Sequence, residues 1–134
     1  MGFVRRRPHG FLKICAEAYI MQIMLNTQAF FDALSDEIRR RILCLLLGSG
    51  ELCVCELFQA LDLPQPKVSR HLAVMRESGV LSVRREGTWV FYRMDAQLPL
   101  WAYKVIESMA QGATFAEDAQ RLEVMPNRPV RCCA

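Results

Sequence analysis

From Asn26 onward, apolar side chains fall at helical spacing in short runs separated by turn residues, and the order of those runs predicts the fold. Ala29, Phe30, Ala33 and Leu34 predict a short first helix. Ser35 then stands as an N-cap, with Asp36 and Glu37 in the first turn where the helix dipole favours acids, and Ile38, Ile42, Leu45 and Leu46 form the buried stripe of a second helix that Gly48-Ser49-Gly50 ends. Val54, Leu57, Phe58 and Leu61 line one face of a third helix. After the turn Asp62-Leu63-Pro64-Gln65, a fourth helix to about Ser78 buries Val68, Leu72 and Met75 and leaves Lys67, Ser69, Arg70 and Arg76 toward solvent, with Gly79 as its stop. Two β-patterned runs, Val80 to Arg85 and Thr88 to Met94, flank Glu86-Gly87 as a hairpin. A last helix runs from Leu100 to about Ala110, with Trp101, Val105, Ile106 and Met109 apolar.

The layout of helix, four-residue turn, helix and basic hairpin is that of a winged helix-turn-helix: mainly α, with a small β-hairpin wing. The expected organisation is an N-terminal extension over 1–25, either an over-long start or unstructured, a winged-helix domain for DNA binding and dimerisation over 26–110, and a mobile C-terminal tail over 111–134.

Charge sharpens the picture. The net +3 says little, but between Pro64 and Arg93 six basic residues face two acidic ones, and the rest of the chain is slightly acidic. On the second helix of the motif, Lys67 and Arg70 suit phosphates, while Ser69 and His71 suit phosphate or base edges. Arg84 and Arg85 suit a wing against the sugar-phosphate wall of double-stranded operator DNA. Phe30, Phe31, Trp101, Val105 and Ile106 exceed what so small a fold needs for its core, which predicts a homodimer built on them and a roughly palindromic operator. Lys13 and Glu17 interrupt the apolar run near the start, so no membrane span is expected, and six cysteines unevenly placed in a helix-rich chain read as a reduced, cytoplasmic protein.

The chemistry sits at Cys53-Val54-Cys55. In a regular helix residues i and i+2 point roughly 200° apart, so one soft ion held by both sulfurs must unwind or hold open the first turn of the third helix, which supports the fourth. A helix N-terminus lowers a thiol pKa, and thiolates without histidine select soft thiophilic ions. Cys44, beside Leu43 and Leu45, reads as core.

Read together, Glu51-Leu52-Cys53-Val54-Cys55-Glu56-Leu57, Gln65-Pro66-Lys67-Val68-Ser69-Arg70-His71-Leu72, Arg76-Glu77-Ser78-Gly79 and Trp89-Val90-Phe91-Tyr92-Arg93 resemble the ArsR/SmtB family, within it the arsenical resistance operon repressors, over about Asn26 to Met109. The resemblance implies a homodimeric repressor that leaves DNA when trivalent arsenic or antimony binds the cysteines of the third helix. One departure matters: where the nearest relatives carry a third cysteine, this chain has Phe58. Trivalent arsenic prefers three sulfurs, so a hydroxide or external thiol completes the site, or a distant cysteine does. Cys132 and Cys133 are the candidates, with donation from the other subunit open, and Cys15 comes behind them. A thiol redox sensor and a zinc or cadmium sensor are the alternative regulators. An enzyme is not expected, since no phosphate-binding loop, nucleophile turn or βαβ pattern occurs and no catalytic cofactor is implied.

Overall fold

The computed structural model describes residues 25–113 and 115–128. Helix α1 (Thr27–Leu34) starts at Asn26, whose side chain accepts the Ala29 N–H at 3.0 Å. Helix α2 (Glu37–Ser49) is capped by Asp36, which accepts the Arg39 N–H; Ser35 is instead the C-cap of α1. Both residues are good caps in sequence, and Asp36 wins because Ser35 still continues the preceding helix, its hydroxyl donating to the Asp32 carbonyl.

Helix α2 ends at Gly50, whose φ of +78° lets the chain reverse at once into a three-residue strand, β1 (Glu51–Cys53). Helix α3 (Val54–Leu61) follows directly, and its C-cap Asp62 takes the left-handed conformation that opens the turn into α4 (Gln65–Glu77). Pro66 sits in the first turn of α4, where its missing N–H costs nothing. Strands β2 (Leu81–Glu86) and β3 (Trp89–Met94) form the hairpin, and β1 adds to it antiparallel, giving the order β1-β3-β2. The last elements among the described residues are α5 (Leu100–Gly112) and α6 (Ala116–Glu123).

The core lies where α1, α2, α3, α4 and α5 meet, with Phe30, Ile42, Leu46, Leu57, Leu72, Met75 and Ile106 fully buried. Two expectations change here. Phe30 and Ile106, assigned to an exposed dimer face, are 0% exposed within a single chain and belong to this core. The region read as a mobile tail contains α6, which packs along α3 and buries Leu122 and Asp118. Its sequence hides this because Leu122 is the one buried apolar side chain within the helix, the other contacts including the Arg41–Asp118 ion pair and the Arg121 bond to the Ala60 carbonyl. No helix among the described residues is long and apolar enough to cross a membrane.

Candidate nucleic-acid interface and thiol site

Helices α3 and α4 with the β2–β3 hairpin form the winged helix-turn-helix. On α4, Val68, Leu72 and Met75 are buried while Lys67, Arg70, Ala73 and Arg76 are exposed, so one helix face is packed and the other is basic and open. Ser69 is half-buried at the edge of that open face. On the wing, Arg85 is exposed.

Two expected contact residues are placed otherwise. His71 leaves only 15% of its side chain accessible, and its Nδ1 lies 3.2 Å from Arg39 Nη1 and 3.8 Å from Asp36 Oδ1. A guanidinium only donates, so Nδ1 is the acceptor. Burial pushes the imidazole pKa below its ordinary value; Asp36 pulls the other way and Arg39, Lys67 and Arg70 push down further. His71 is therefore a neutral ring docked on the α1–α2 junction. Arg39 also donates to the Ala33 and Asp32 carbonyls at the end of α1, and Arg40 donates to Leu34 O. Arg84 is likewise engaged internally: it donates to Glu51 at 2.9 and 2.5 Å and to Glu86 at 2.8 Å, and lies 4.7 Å over the Phe91 ring.

Arg84 also marks the link from wing to thiols. Arg84 pairs with Phe91 across β2 and β3, and Phe91 pairs with Cys53 across β3 and β1, so the three share one row and one face of the sheet. Cys53 does not lie within α3. It is the last residue of β1 and the N-cap of the helix, with extended backbone (φ −82°, ψ 164°), and is 1% exposed. It takes part in a capping box: its sulfur accepts the Glu56 N–H, and the Glu56 carboxylate accepts the Cys53 N–H at 3.0 Å. The depressed thiol pKa expected from the helix N-terminus is not found. Burial raises it, and the Glu56 carboxylate adds to that, outweighing the stabilising Glu56 N–H. Cys55 sits in the first turn of α3 and is half-buried.

Several residues that shape the site carry no obvious motif. Glu56 is fully buried, holding Cys53 N–H with one oxygen and Arg128 Nε with the other at 2.5 Å. Its spacing from Cys53 is that of an S/T-x-x-E capping box with cysteine in the capping place, so the signal was there in altered form. Asp118 is buried between Arg41, which grips both its oxygens at 2.7 Å, and Arg121 at 2.5 Å; Arg121 also donates to Ala60 O on α3. Cys44 is half-buried, its thiol pKa raised by burial and then by Asp118. Among the described residues no three His, Cys, Asp or Glu side chains converge to hold an ion, so two sulfurs are all they offer. Cys15, Cys132 and Cys133 lie outside the described residues.

On the α1–α5 face, Phe31 is 48% exposed and stacks on Trp101 at 6.3 Å, while Phe30 meets both rings edge-on at 5.2 Å. Val105 is half-buried, and the Trp101 indole N–H is buried without a hydrogen-bond partner among the described residues.

Residues 36–83, from the cap of α2 to the middle of β2, match the family described as bacterial regulatory protein, arsR family. Over 115 residues, 82% of this chain, the sequence is 45% identical to the arsenic resistance transcriptional regulator ArsR2 of Pseudomonas putida, covering all of that protein. The chain belongs to the ArsR family. It is 52% identical over 87 residues to the arsenical resistance operon repressor of Escherichia coli, spanning 65% of this chain and 74% of the relative. Among solved structures, HlyU from Vibrio cholerae superposes with a TM-score of 0.56 at 35% identity, covering 62% of this chain and 86% of that one. As an ArsR-family member the chain is a DNA-binding transcriptional repressor and not an enzyme.

Proposed function

We propose that this protein is a metalloid-responsive repressor that binds operator DNA as a homodimer and lets go when trivalent arsenic or antimony is held by the thiolates of Cys53 and Cys55. The observation that carries the reading is the double duty of Cys53, at once the edge of the wing sheet and the N-cap of the helix beneath α4. The relatives named for arsenic and arsenical resistance supply the chemical class of the signal.

Lys67, Ser69, Arg70 and Arg85 hold the phosphates and base edges, with His71 setting the position of α4 rather than touching DNA. Phe31, Trp101 and Val105 form the dimer face over the buried Phe30 and Ile106. The inducer supplies a soft, three-coordinate centre. To reach it, the Cys53 sulfur must leave the Glu56 N–H and lose its proton, which removes the cap of α3 and loosens the strand that pairs with Phe91. A lost cap is worth about 1 kcal/mol, and the same movement strains both the α3–α4 packing and the wing, so one binding event acts on two DNA-holding elements.

The test is fluorescence anisotropy of the reduced protein on its own upstream DNA, with micromolar arsenite and separately with zinc. Release by arsenite but not zinc is expected, with Cys53→Ser and Cys55→Ser binding DNA normally and failing to release it. Undiminished induction in both variants would sink the site; release by zinc or by oxidant alone would replace the signal.

A further inference from the structure

A short groove separates the C-terminal half of α4 from the wing. It holds about 350 Å3 and is lined by Ala73, Arg76 and Glu77 of α4 and by Tyr92 of β3. Ala73, Arg76 and Glu77 stand at i, i+3 and i+4, so they continue by one turn the face that carries Ser69 and Arg70. Ala73 has only a methyl group, which leaves the groove open. Across from it, alternation along the hairpin puts Tyr92 on one face with Arg85, through the Val83–Tyr92 and Arg85–Val90 pairs, and Arg84 on the other with Phe91. The two faces differ in use. Arg84 is spent on Glu51 and Glu86, whereas Arg76 and Arg85 form no ion pair, and the Tyr92 hydroxyl no hydrogen bond, with any described residue.

Double-stranded DNA supplies what fits there. With α4 in the major groove, a wing reaching beyond it must pass over the backbone strand that borders that groove, and the strand needs a seat between the two elements. The groove lies in that place. Its volume is that of about ten waters, room for a phosphate group, and Arg76 and Arg85 against Glu77 leave its surroundings with an excess of positive charge.

Resting on the operator binding proposed above, and not on the thiol signal, we propose that this groove is a backbone seat. One DNA phosphate lies in it, held by the Arg76 guanidinium as cation and by the Tyr92 hydroxyl as a neutral donor, with Arg85 following the same strand toward the wing tip. Glu77 meets that phosphate as a like charge and limits the affinity. The seat also gauges the separation of α4 from the wing, because one phosphate meets both side chains only while the two elements keep their distance.

Anisotropy of the full reduced chain on its upstream DNA, without inducer and at several salt concentrations, reads the two donors apart. Arg76→Ala should weaken binding about tenfold and lower the slope of log affinity against log salt by about 0.9, and Arg76→Lys should keep the slope. Tyr92→Phe should weaken binding about tenfold, the loss of one hydrogen bond to a charged group, with slope and Tm unchanged. Glu77→Gln should tighten binding about threefold, the effect of one unit charge about 6 Å away in water. Position on the DNA then decides whether the two side chains share one phosphate. Neutral methylphosphonates, placed one at a time along the upstream DNA, should reveal a position in each half-site where the native chain loses affinity and where Arg76→Ala and Tyr92→Phe cost nothing further. Losses that stay additive at every position, or that vanish at different phosphates for the two variants, overturn the seat and leave the repressor standing. A native chain that does not bind its upstream DNA overturns both.

Discussion

The double role of Cys53 can be separated by replacing it in two ways. Serine at an N-cap accepts the N–H at the third helical position as the thiol does here, and the Glu56 carboxylate keeps the Cys53 N–H in either case. Alanine removes the acceptor, at about 1 kcal/mol for a lost cap, and removes a sulfur from a site 1% exposed, at about 1 kcal/mol more for lost burial and residual cavity. Cys53→Ala should thus lose about 2 kcal/mol and about 8 °C of Tm, against less than about 4 °C for Cys53→Ser. Both variants should hold DNA and neither should release it on arsenite. Thermal unfolding by circular dichroism reads the first pair of numbers and anisotropy the second. Equal destabilisation by serine and alanine would refute the capping role; a serine variant that still responds to arsenite at wild-type concentrations would refute the ligand role.

Three further outcomes follow from the same geometry. Arg70→Ala should lower DNA affinity and reduce the slope of log affinity against log salt by about 0.9, the loss of one phosphate contact, whereas His71→Ala should weaken binding with the slope unchanged; identical slopes for the two would place them in the same role. Asp118→Ala leaves Arg41, only 17% exposed, without its bidentate partner, and should cost about 3 kcal/mol, read as a lower urea midpoint and as earlier proteolysis after α5. Because the folded pKa of Cys53 is raised, the stability it contributes is complete below the ordinary thiol range and is lost as pH rises through the folded value, so wild-type Tm should fall, as pH rises above the ordinary thiol value of about 8.5, more steeply than that of Cys53→Ser. Parallel curves would count against it.

The apolar periodicity of α2, α4 and the hairpin was legible because each element buries a regular stripe: Ile42, Leu45 and Leu46, then Val68, Leu72 and Met75. The thiol pair was legible by position but misread in geometry. A three-residue strand has no periodicity of its own, so Cys53 looked helical until its pairing with Phe91 was seen. Helix α6 was missed for a related reason: it carries no apolar stripe, and only partners far away in the chain, Arg41 for Asp118 and Ala60 for Arg121, make its charged residues structural, as Glu56 does for Arg128 beyond it. In the same way Arg84 and His71 have the right residue types for DNA, and the partners that hold them, Glu51 and Glu86 for Arg84 and Arg39 for His71, are brought to them by the fold rather than by a pattern. Aromatic residues at helical spacing predict an apolar face; they do not say that Phe30 turns inward while Phe31 remains at the surface.

His71 is the central residue of α4, which runs from Gln65 to Glu77, and the Arg39 contact is there. A rod held at its midpoint resists sliding but can rock. Each arm of α4 is about 9 Å long at 1.5 Å per residue, so a tilt of about 20° moves its ends by about 3 Å in opposite directions, close to the 3.4 Å rise of one nucleotide step. Under the release mechanism proposed above, a push delivered through the short turn from α3 is converted at the pivot into a tilt: the two ends of the open α4 face move opposite ways across the helix axis, so that a helix keeping all its own hydrogen bonds loses its fit to the groove.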